Sequence, residues 1–154
     1  MPKVGILGCD VTARDMDCVM IGCFGNLRGR QGKFEQYPED DPPELVGIIH
    51  CGGCPTAFGS DRSWQSVKAL KEYGIEALHL TSCLVQVCPF TQEFVATIRK
   101  EYPELKIVEG THPFHDLQAF KTGIKELTSQ RAVTPQKMND IVFKRIKVHR
   151  EEDE

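Results

Sequence analysis

Four short runs of apolar residues are spaced along the chain, and each is followed by a segment in which apolar residues recur at helical spacing. The runs at 4–7 and 45–49 are nearly continuous, which is typical of buried strands in a parallel sheet. The runs at 75–80 and 105–110 contain polar residues as well, and we predict strands there too. The segments with helical spacing cover 19–30, 61–73, 90–102, 117–127 and 134–146. The stretch 9–18 is polar, and we expect a loop there. If the four residues between Cys83 and Cys88 form a loop, both cysteines can reach the edge of the sheet.

The alternation of strands and helices predicts the fold class. Four strands, each followed by a helix after a short connection, indicate a doubly wound parallel sheet with right-handed crossovers. We expect a three-layer α/β/α architecture, flavodoxin-like or Rossmann-like, with about four strands and a C-terminal helix. The 154 residues suffice for one domain with its own core. We assign 1–130 to this domain and 131–154 to an appended helix and acidic tail.

Five of the seven cysteines follow predicted strands. In chain order they are Cys9 after the first strand, Cys51 and Cys54 after the second, and Cys83 and Cys88 after the third. Because the carboxyl ends of parallel strands share one edge of the sheet, thiols distant in sequence are expected to converge there. An odd number of cysteines excludes a complete set of intramolecular disulfides, and the clustering favours metal binding or thiol chemistry.

The most specific motif is Cys51-Gly52-Gly53-Cys54, which is followed by Pro55. The two glycines allow a tight turn, so both sulfurs can face one ion, and the same spacing supplies two ligands in many zinc and iron–sulfur sites. The proline suits the start of a helix, whose dipole would lower the pKa of the Cys54 thiol. A redox dithiol of the thioredoxin type and a structural turn are the alternative interpretations.

Three further candidates rest on weaker positional arguments. Cys18 and Cys23 are five residues apart, which in a regular helix separates them by about 140°. At least one of them must therefore precede the helix if both bind one ion. His112 follows the fourth strand at the same edge of the sheet, and it is a candidate ligand or acid–base group.

Composition narrows the range of partners. The net charge is −3, with 40% hydrophobic and 27% charged residues, so no general attraction to nucleic acid or anionic membranes is implied. No apolar run approaches the roughly 18–20 residues of a membrane span. The first predicted strand begins near Lys3, and we expect a cytoplasmic protein without a cleavable signal peptide. No Walker-type phosphate loop or G-x-G-x-x-G motif is present, so nucleotide binding is not predicted.

With these motifs in view, the chain resembles the CGGC-domain family from its opening strand through His112. The matching residues are Cys9, Cys18, Cys23-Phe24, Gly32-Lys33-Phe34, Tyr37, His50-Cys51-Gly52-Gly53-Cys54-Pro55, His79-Leu80-Thr81-Ser82-Cys83, Cys88-Pro89 and Glu109-Gly110-Thr111-His112. The resemblance implies a cysteine- and histidine-rich domain suspected of binding zinc, and it implies no particular reaction. Thr56 departs from the pattern, which would have glycine after Cys54-Pro55, and this change leaves the sulfurs unaffected.

These observations predict a metal-binding protein with a cysteine-rich site at the carboxyl edge of the sheet. Thiolates select soft or borderline metals, so the expected cofactor is zinc or an iron–sulfur cluster. The candidate ligands are Cys9, Cys18, Cys23, Cys51, Cys54, Cys83, Cys88 and His112. The alternatives are a metal- or cluster-dependent enzyme acting on a small-molecule substrate and a thiol–disulfide oxidoreductase that uses the CGGC dithiol. Neither nucleic acid nor a membrane is an expected partner.

Overall fold

A computed structural model describes residues 1–52 and 61–131, in which strands and helices alternate. The strands are β1 (Lys3–Gly8), β2 (Glu44–His50), β3 (Ala77–Leu80) and β4 (Lys106–Glu109). The helices are α1 (Asp10–Asp15), α2 (Ile21–Gly29), α3 (Asp61–Glu72), α4 (Ser82–Val87), α5 (Thr91–Glu101) and α6 (Leu117–Arg131), and a 3-10 turn (Gly32–Phe34) follows α2. None of the helices in this part of the chain is both long and apolar enough to cross a membrane.

The four strands form one parallel sheet in the order β2-β1-β3-β4, which confirms the predicted α/β fold class. In the middle of β1, Ile6 pairs with Ile48 on one side and with His79 on the other. The chain builds β2 on one side of β1 and then returns to build β3 on the other side. The topological switch point therefore lies between the carboxyl ends of β1 and β3, where open α/β sheets bind ligands.

Alternate residues of β1 face two separate layers of packing. Val4 and Ile6 are fully buried in a cluster that α2 and the 3-10 turn complete with Leu27 and Phe34. Since successive side chains in a strand point to opposite faces, the residues between them face the other layer. Apolar side chains on both faces give the predicted three-layer arrangement.

Two glycines let α3 approach the second face of the sheet closely. A Cβ added to Gly5 would lie 2.8 Å from Leu70 Cδ1, and one added to Gly47 would lie 2.9 Å from Leu70 Cδ2. Real side chains do not tolerate contacts this short, so the missing Cβ atoms make room for the leucine. Leu70 is buried as a result, and it ties α3 to β1 and β2.

The expectation of a loop over 9–18 is wrong, because this segment contains helix α1. The carbonyl oxygen of Cys9 accepts from the hydroxyl of Thr12 at 2.9 Å and from the N–H of Ala13 at 3.2 Å, which closes the first turn. An ion pair between Arg14 and Asp10, 3.3 Å long and one turn apart, adds local support.

The loop that would let both Cys83 and Cys88 reach the sheet edge does not form, because Ser82–Val87 form α4. The N–H of Val85 donates to Thr81 O at 3.1 Å, and the N–H of Cys88 donates to Leu84 O at 3.0 Å. Leu84 is fully buried and holds this short helix against the domain. Cys83 and Cys88 are therefore presented by opposite ends of a helix instead of by a flexible connection.

The chain divides into two compact units, Met1–Leu117 and Gln118–Glu154. The first unit holds the whole sheet and the cysteines discussed below. In the second, the described residues continue α6, and Ile124 is buried. The helix predicted at 134–146 and the acidic tail lie outside the described residues, so the division into a domain at 1–130 and an appendage at 131–154 stays a prediction.

Candidate metal centre

The sheet brings three of the predicted cysteine ligands to one place. Cys9 directly follows β1, Cys51 directly follows β2, and Cys83 lies in the first turn of α4, after β3. The N–H of Cys51 donates to Gly8 O at 3.1 Å, so the pairing of β1 and β2 continues past the strand ends. The sulfur of Cys51 accepts from the N–H of Asp10 at 3.5 Å. Because β1 is the middle strand of the three, its cysteine lies between the other two.

The three thiols lie together with Cys9 in the middle, and we call them the thiol cluster (Cys9, Cys51 and Cys83). Cys51 and Cys83 are the two groups that act most strongly on the Cys9 thiol. Cys9 is 7% exposed and Cys51 is 2% exposed, whereas Cys83 is half-buried. None of the six cysteines within the described residues forms a disulfide, so the cluster is a set of thiols.

Two threonine hydroxyls approach the sulfur of Cys83. Thr81 Oγ1 lies 3.0 Å from it and Thr12 Oγ1 lies 3.5 Å from it. The hydroxyl proton of Thr12 is already donated to Cys9 O at 2.9 Å. Since a hydroxyl carries one proton, Thr81 is the threonine that can donate to the Cys83 sulfur.

These contacts give the thiols of the cluster different acidities. The S–H of Cys9, followed by the Thr81 hydroxyl, lowers the pKa of Cys83 to about 5 despite its burial. Hydrogen bonds with Cys51 and Cys83, and then burial, raise the pKa of Cys9 above its ordinary value. These effects favour the thiolate form of Cys83 and the protonated form of Cys9.

The thiol cluster has the donor chemistry of a zinc or iron–sulfur site without a complete ligand set. Its three buried or half-buried sulfurs are soft donors, and such donors select these metals. Among the described residues, however, no group of three or more Cys, His, Asp or Glu side chains is already arranged to hold a metal ion. A structural zinc site needs four ligands, and Cys54, the second cysteine of the C-G-G-C motif, lies outside the described residues.

The other predicted cysteine ligands lie outside the thiol cluster. Cys23 is buried in α2 with its sulfur 3.2 Å from Thr111 Oγ1, and burial raises its pKa. Cys18 is exposed in the connection between α1 and α2. Cys88 is half-buried directly after α4, and burial raises its pKa. Cys88 follows the last residue of α4 with extended backbone, so it and Cys83 lie at opposite ends of that helix.

The imidazole of His112 is held by α2 and by its own loop. A Cβ on Gly22 would lie 3.2 Å from the ring, and the Phe114 ring centroid lies 5.4 Å from that of His112. Nδ1 lies 2.8 Å from Pro113 O. Because a carbonyl only accepts, Nδ1 carries the proton of the neutral ring and Nε2 keeps its lone pair, an arrangement that suits a metal-ligating histidine. The residues that fix this ring do not belong to the thiol cluster.

Sequence reasoning missed the roles of two hydroxyl residues at the end of β3. Thr81 approaches the Cys83 sulfur, as described above. The hydroxyl oxygen of Ser82 accepts from the N–H groups of Thr111 and His112, each at 3.0 Å, and donates to His112 O. Ser82 thereby ties the start of α4 to the loop after β4. The available signal was the run of small hydroxyl residues that directly follows a buried strand.

Comparison with protein families agrees with this geometry. A family model described as CGGC domain matches residues 3–112. The matched range begins with β1 and ends at His112, so it contains the sheet and all the predicted ligand residues. Searches among curated proteins and among solved structures each found no match. The chain therefore belongs to the CGGC-domain family.

Proposed function

We propose that this protein binds one zinc ion through the thiol cluster, with Cys54 as the fourth ligand. The observation that carries the proposal is the convergence of the three thiols from three different strand ends into one group. Membership of the CGGC-domain family supports a metal-binding role. Cys54 is the chosen fourth ligand because the C-x2-C spacing supplies two sulfurs to one ion in many zinc sites.

A single ion needs its sulfurs closer together than an iron–sulfur cluster does. Zn–S bonds of about 2.3 Å in a tetrahedral site set neighbouring sulfurs about 3.8 Å apart. The cysteine sulfurs around an iron–sulfur core lie farther apart, because the inorganic atoms stand between them. Cys51 and Cys83 both act directly on the Cys9 thiol, which favours the closer arrangement.

The hydrogen bonds around the sulfurs suit thiolate ligands. The N–H of Asp10 on Cys51 and the hydroxyl of Thr81 on Cys83 are donors that can stay with the sulfurs after these lose their protons. Outer donors of this kind orient ligands and tune a metal site. Cys9 is protonated in the metal-free protein, so zinc binding should release its proton and depend on pH.

A site of four thiolates would be closed and four-coordinate. Closed zinc sites stabilise a fold or hold the metal, whereas catalytic sites keep a position open for water or substrate. We therefore propose metal binding, with a structural or carrier role, and not hydrolysis at the metal. X-ray absorption spectra of the zinc-loaded protein should show four sulfurs around the ion, and three sulfurs plus an oxygen would favour an enzyme.

The zinc affinity of single variants tests the proposed ligands. The substitutions Cys9→Ser, Cys51→Ser and Cys83→Ser should each weaken zinc binding by more than about 100-fold, the upper range for loss of an outer partner alone. Cys18→Ser is the matched control, because this thiol is exposed and lies outside the cluster. Competition with a chromophoric chelator gives the affinities, and far-UV circular dichroism checks that each variant is folded.

Two results would replace the proposal. If the three cluster variants bind zinc as tightly as the wild type, the thiol cluster is not the metal site. If Cys51 and Cys54 instead cycle reversibly between dithiol and disulfide in metal-free protein, the chain is a thiol–disulfide oxidoreductase of the kind the motif also allows.

A further inference from the structure

A cavity of about 510 Å³ lies beside the carboxyl ends of β3 and β4, apart from the thiol cluster. One wall is the face of α4 that carries Ser82, Val85 and Gln86, which are three and four residues apart and so lie on one side of the helix. Cys83 is the next residue after Ser82, and it therefore projects about 100° away around the helix. Helix α4 is thus a shared wall, with the cavity on one side and the thiol cluster on another.

A second wall of the cavity is built around Gly110, next to Ser82 at the start of α4. Its φ is +120°, a conformation that residues with a Cβ rarely adopt, and a Cβ there would lie 3.1 Å from Lys33 Cγ. The aliphatic part of Lys33 therefore crosses over this glycine. The backbone N–H of Lys33 donates to Thr111 O at 3.2 Å, which fixes the 3-10 turn against the loop after β4. The backbone hydrogen bond to Thr111 and the packing of its stem over Gly110 bring the lysine to the cavity.

Charges of both signs line the cavity. Lys33 supplies an ammonium group, and Glu35 and Glu109 supply carboxylates. Within the described part of the chain, none of the three takes part in an ion pair. Val85 and Phe114 add apolar surface beside them. A ligand that carries an ammonium, a carboxylate and a small apolar group would meet a complementary partner at each point.

We propose that this cavity binds a free α-amino acid with an apolar side chain. The carboxylate would face Lys33, the ammonium would face Glu109, and the side chain would pack against Phe114. A simple anion would be attracted by the lysine but repelled by two carboxylates, and a simple cation would be repelled by the lysine. Neither matches the lining as well as a zwitterion does. The volume lies within the range of about 300–1,000 Å³ that is usual for small-molecule sites.

Titration of the full-length protein with L-leucine, followed by backbone amide chemical shifts, tests the proposal. Leucine up to about 10 mM, a range that covers weak sites, should give saturable shifts at Lys33, Gln86 and Glu109. Two analogues, 3-methylbutylamine and 4-methylpentanoate, each lack one of the charges and should bind about tenfold more weakly. No saturable shift with leucine, or equal binding by either analogue, would overturn the proposal.

Variants identify the charged contacts. Lys33→Met keeps the stem that crosses Gly110 and removes the charge, and Glu109→Gln removes one carboxylate; each should weaken leucine binding about tenfold. Lys100→Met changes an exposed lysine of α5 and should bind leucine as the wild type does. Wild-type affinity in both Lys33→Met and Glu109→Gln would overturn the assignment. Zinc content, measured in the same samples, should not change, so failure of this proposal is distinguishable from failure of the zinc site.

Discussion

The stability of the protein should depend on the uncharged state of His79. This residue lies in β3 with 0% exposure, and its ring stacks on Phe34 with centroids 4.2 Å apart. Its Nδ1 lies 3.3 Å from Gly110 O, and because a carbonyl only accepts, the proton of the neutral ring is on Nδ1. Nε2 then accepts from the hydroxyl of Tyr37 at 2.8 Å. Both ring nitrogens are used by the neutral imidazole, so protonation is disfavoured.

Burial sets the size of the effect. It lowers the pKa of His79 from 6.5 to about 4 in the folded protein, and the charge of Lys106 acts in the same direction. The unfolded chain therefore binds a proton more readily, so stability is fully present above about pH 6.5 and falls as the pH drops toward 4. At about 1.36 kcal/mol per pKa unit the full loss is about 3 kcal/mol. About 2 kcal/mol of it falls between about pH 7 and pH 5.

Urea unfolding measures this loss, with the fluorescence of Trp64, the one tryptophan of the chain, as the signal. Between about pH 7 and pH 5, the free energy of unfolding of His79→Gln should fall by about 2 kcal/mol less than that of the wild type. His115→Gln changes an exposed histidine and should keep the wild-type pH dependence. The reasoning is refuted if wild type and His79→Gln show the same pH dependence, whatever the stability of the variant near neutral pH.

Two further substitutions test the loop and the outer partners of the metal site. Gly110→Ala should lower the free energy of unfolding in urea by about 1–3 kcal/mol, because φ is +120° there. Gly25→Ala adds a Cβ at a helical position with open space around it, and it should instead raise the free energy of unfolding by about 0.5–1 kcal/mol. If both substitutions change the free energy of unfolding equally, the argument from backbone conformation is wrong. Thr81→Val removes the hydroxyl 3.0 Å from Cys83 Sγ and should weaken zinc binding about tenfold in chelator competition. Thr122→Val, on the exposed surface of α6, is the control and should leave the zinc affinity unchanged. An unchanged zinc affinity in Thr81→Val would argue against a role of the Thr81 hydroxyl at the metal site.

The strands and the longer helices could be predicted because each has an apolar pattern long enough to show its period. Helices α1 and α4 could not, since six residues make fewer than two turns and cannot show a recurring apolar face. Contacts distant in sequence stabilise α4 instead. Leu84 is fully buried, and the Ser82 hydroxyl binds the loop at Thr111. Neither contact can be identified from the local sequence.

The meeting of Cys9, Cys51 and Cys83 could be predicted because parallel topology brings the strand ends to one edge. The protonation states of these thiols could not be predicted. They depend on the Thr81 hydroxyl 3.0 Å from Cys83 and on the S–H of Cys9 beside it, which only the folded arrangement reveals. The same holds for the cavity on the other side of α4, because its charged and apolar residues come from three separate segments of the chain.

The metal content of the full-length protein, purified without oxygen, tests the central claim most directly. Elemental analysis combined with an assay for acid-labile sulfide should find about one zinc per chain and no sulfide, as a single four-coordinate site requires. Iron with matching sulfide would contradict the zinc assignment and make the chain an iron–sulfur protein. The absence of both metals, in protein never exposed to air or chelator, would contradict metal binding itself.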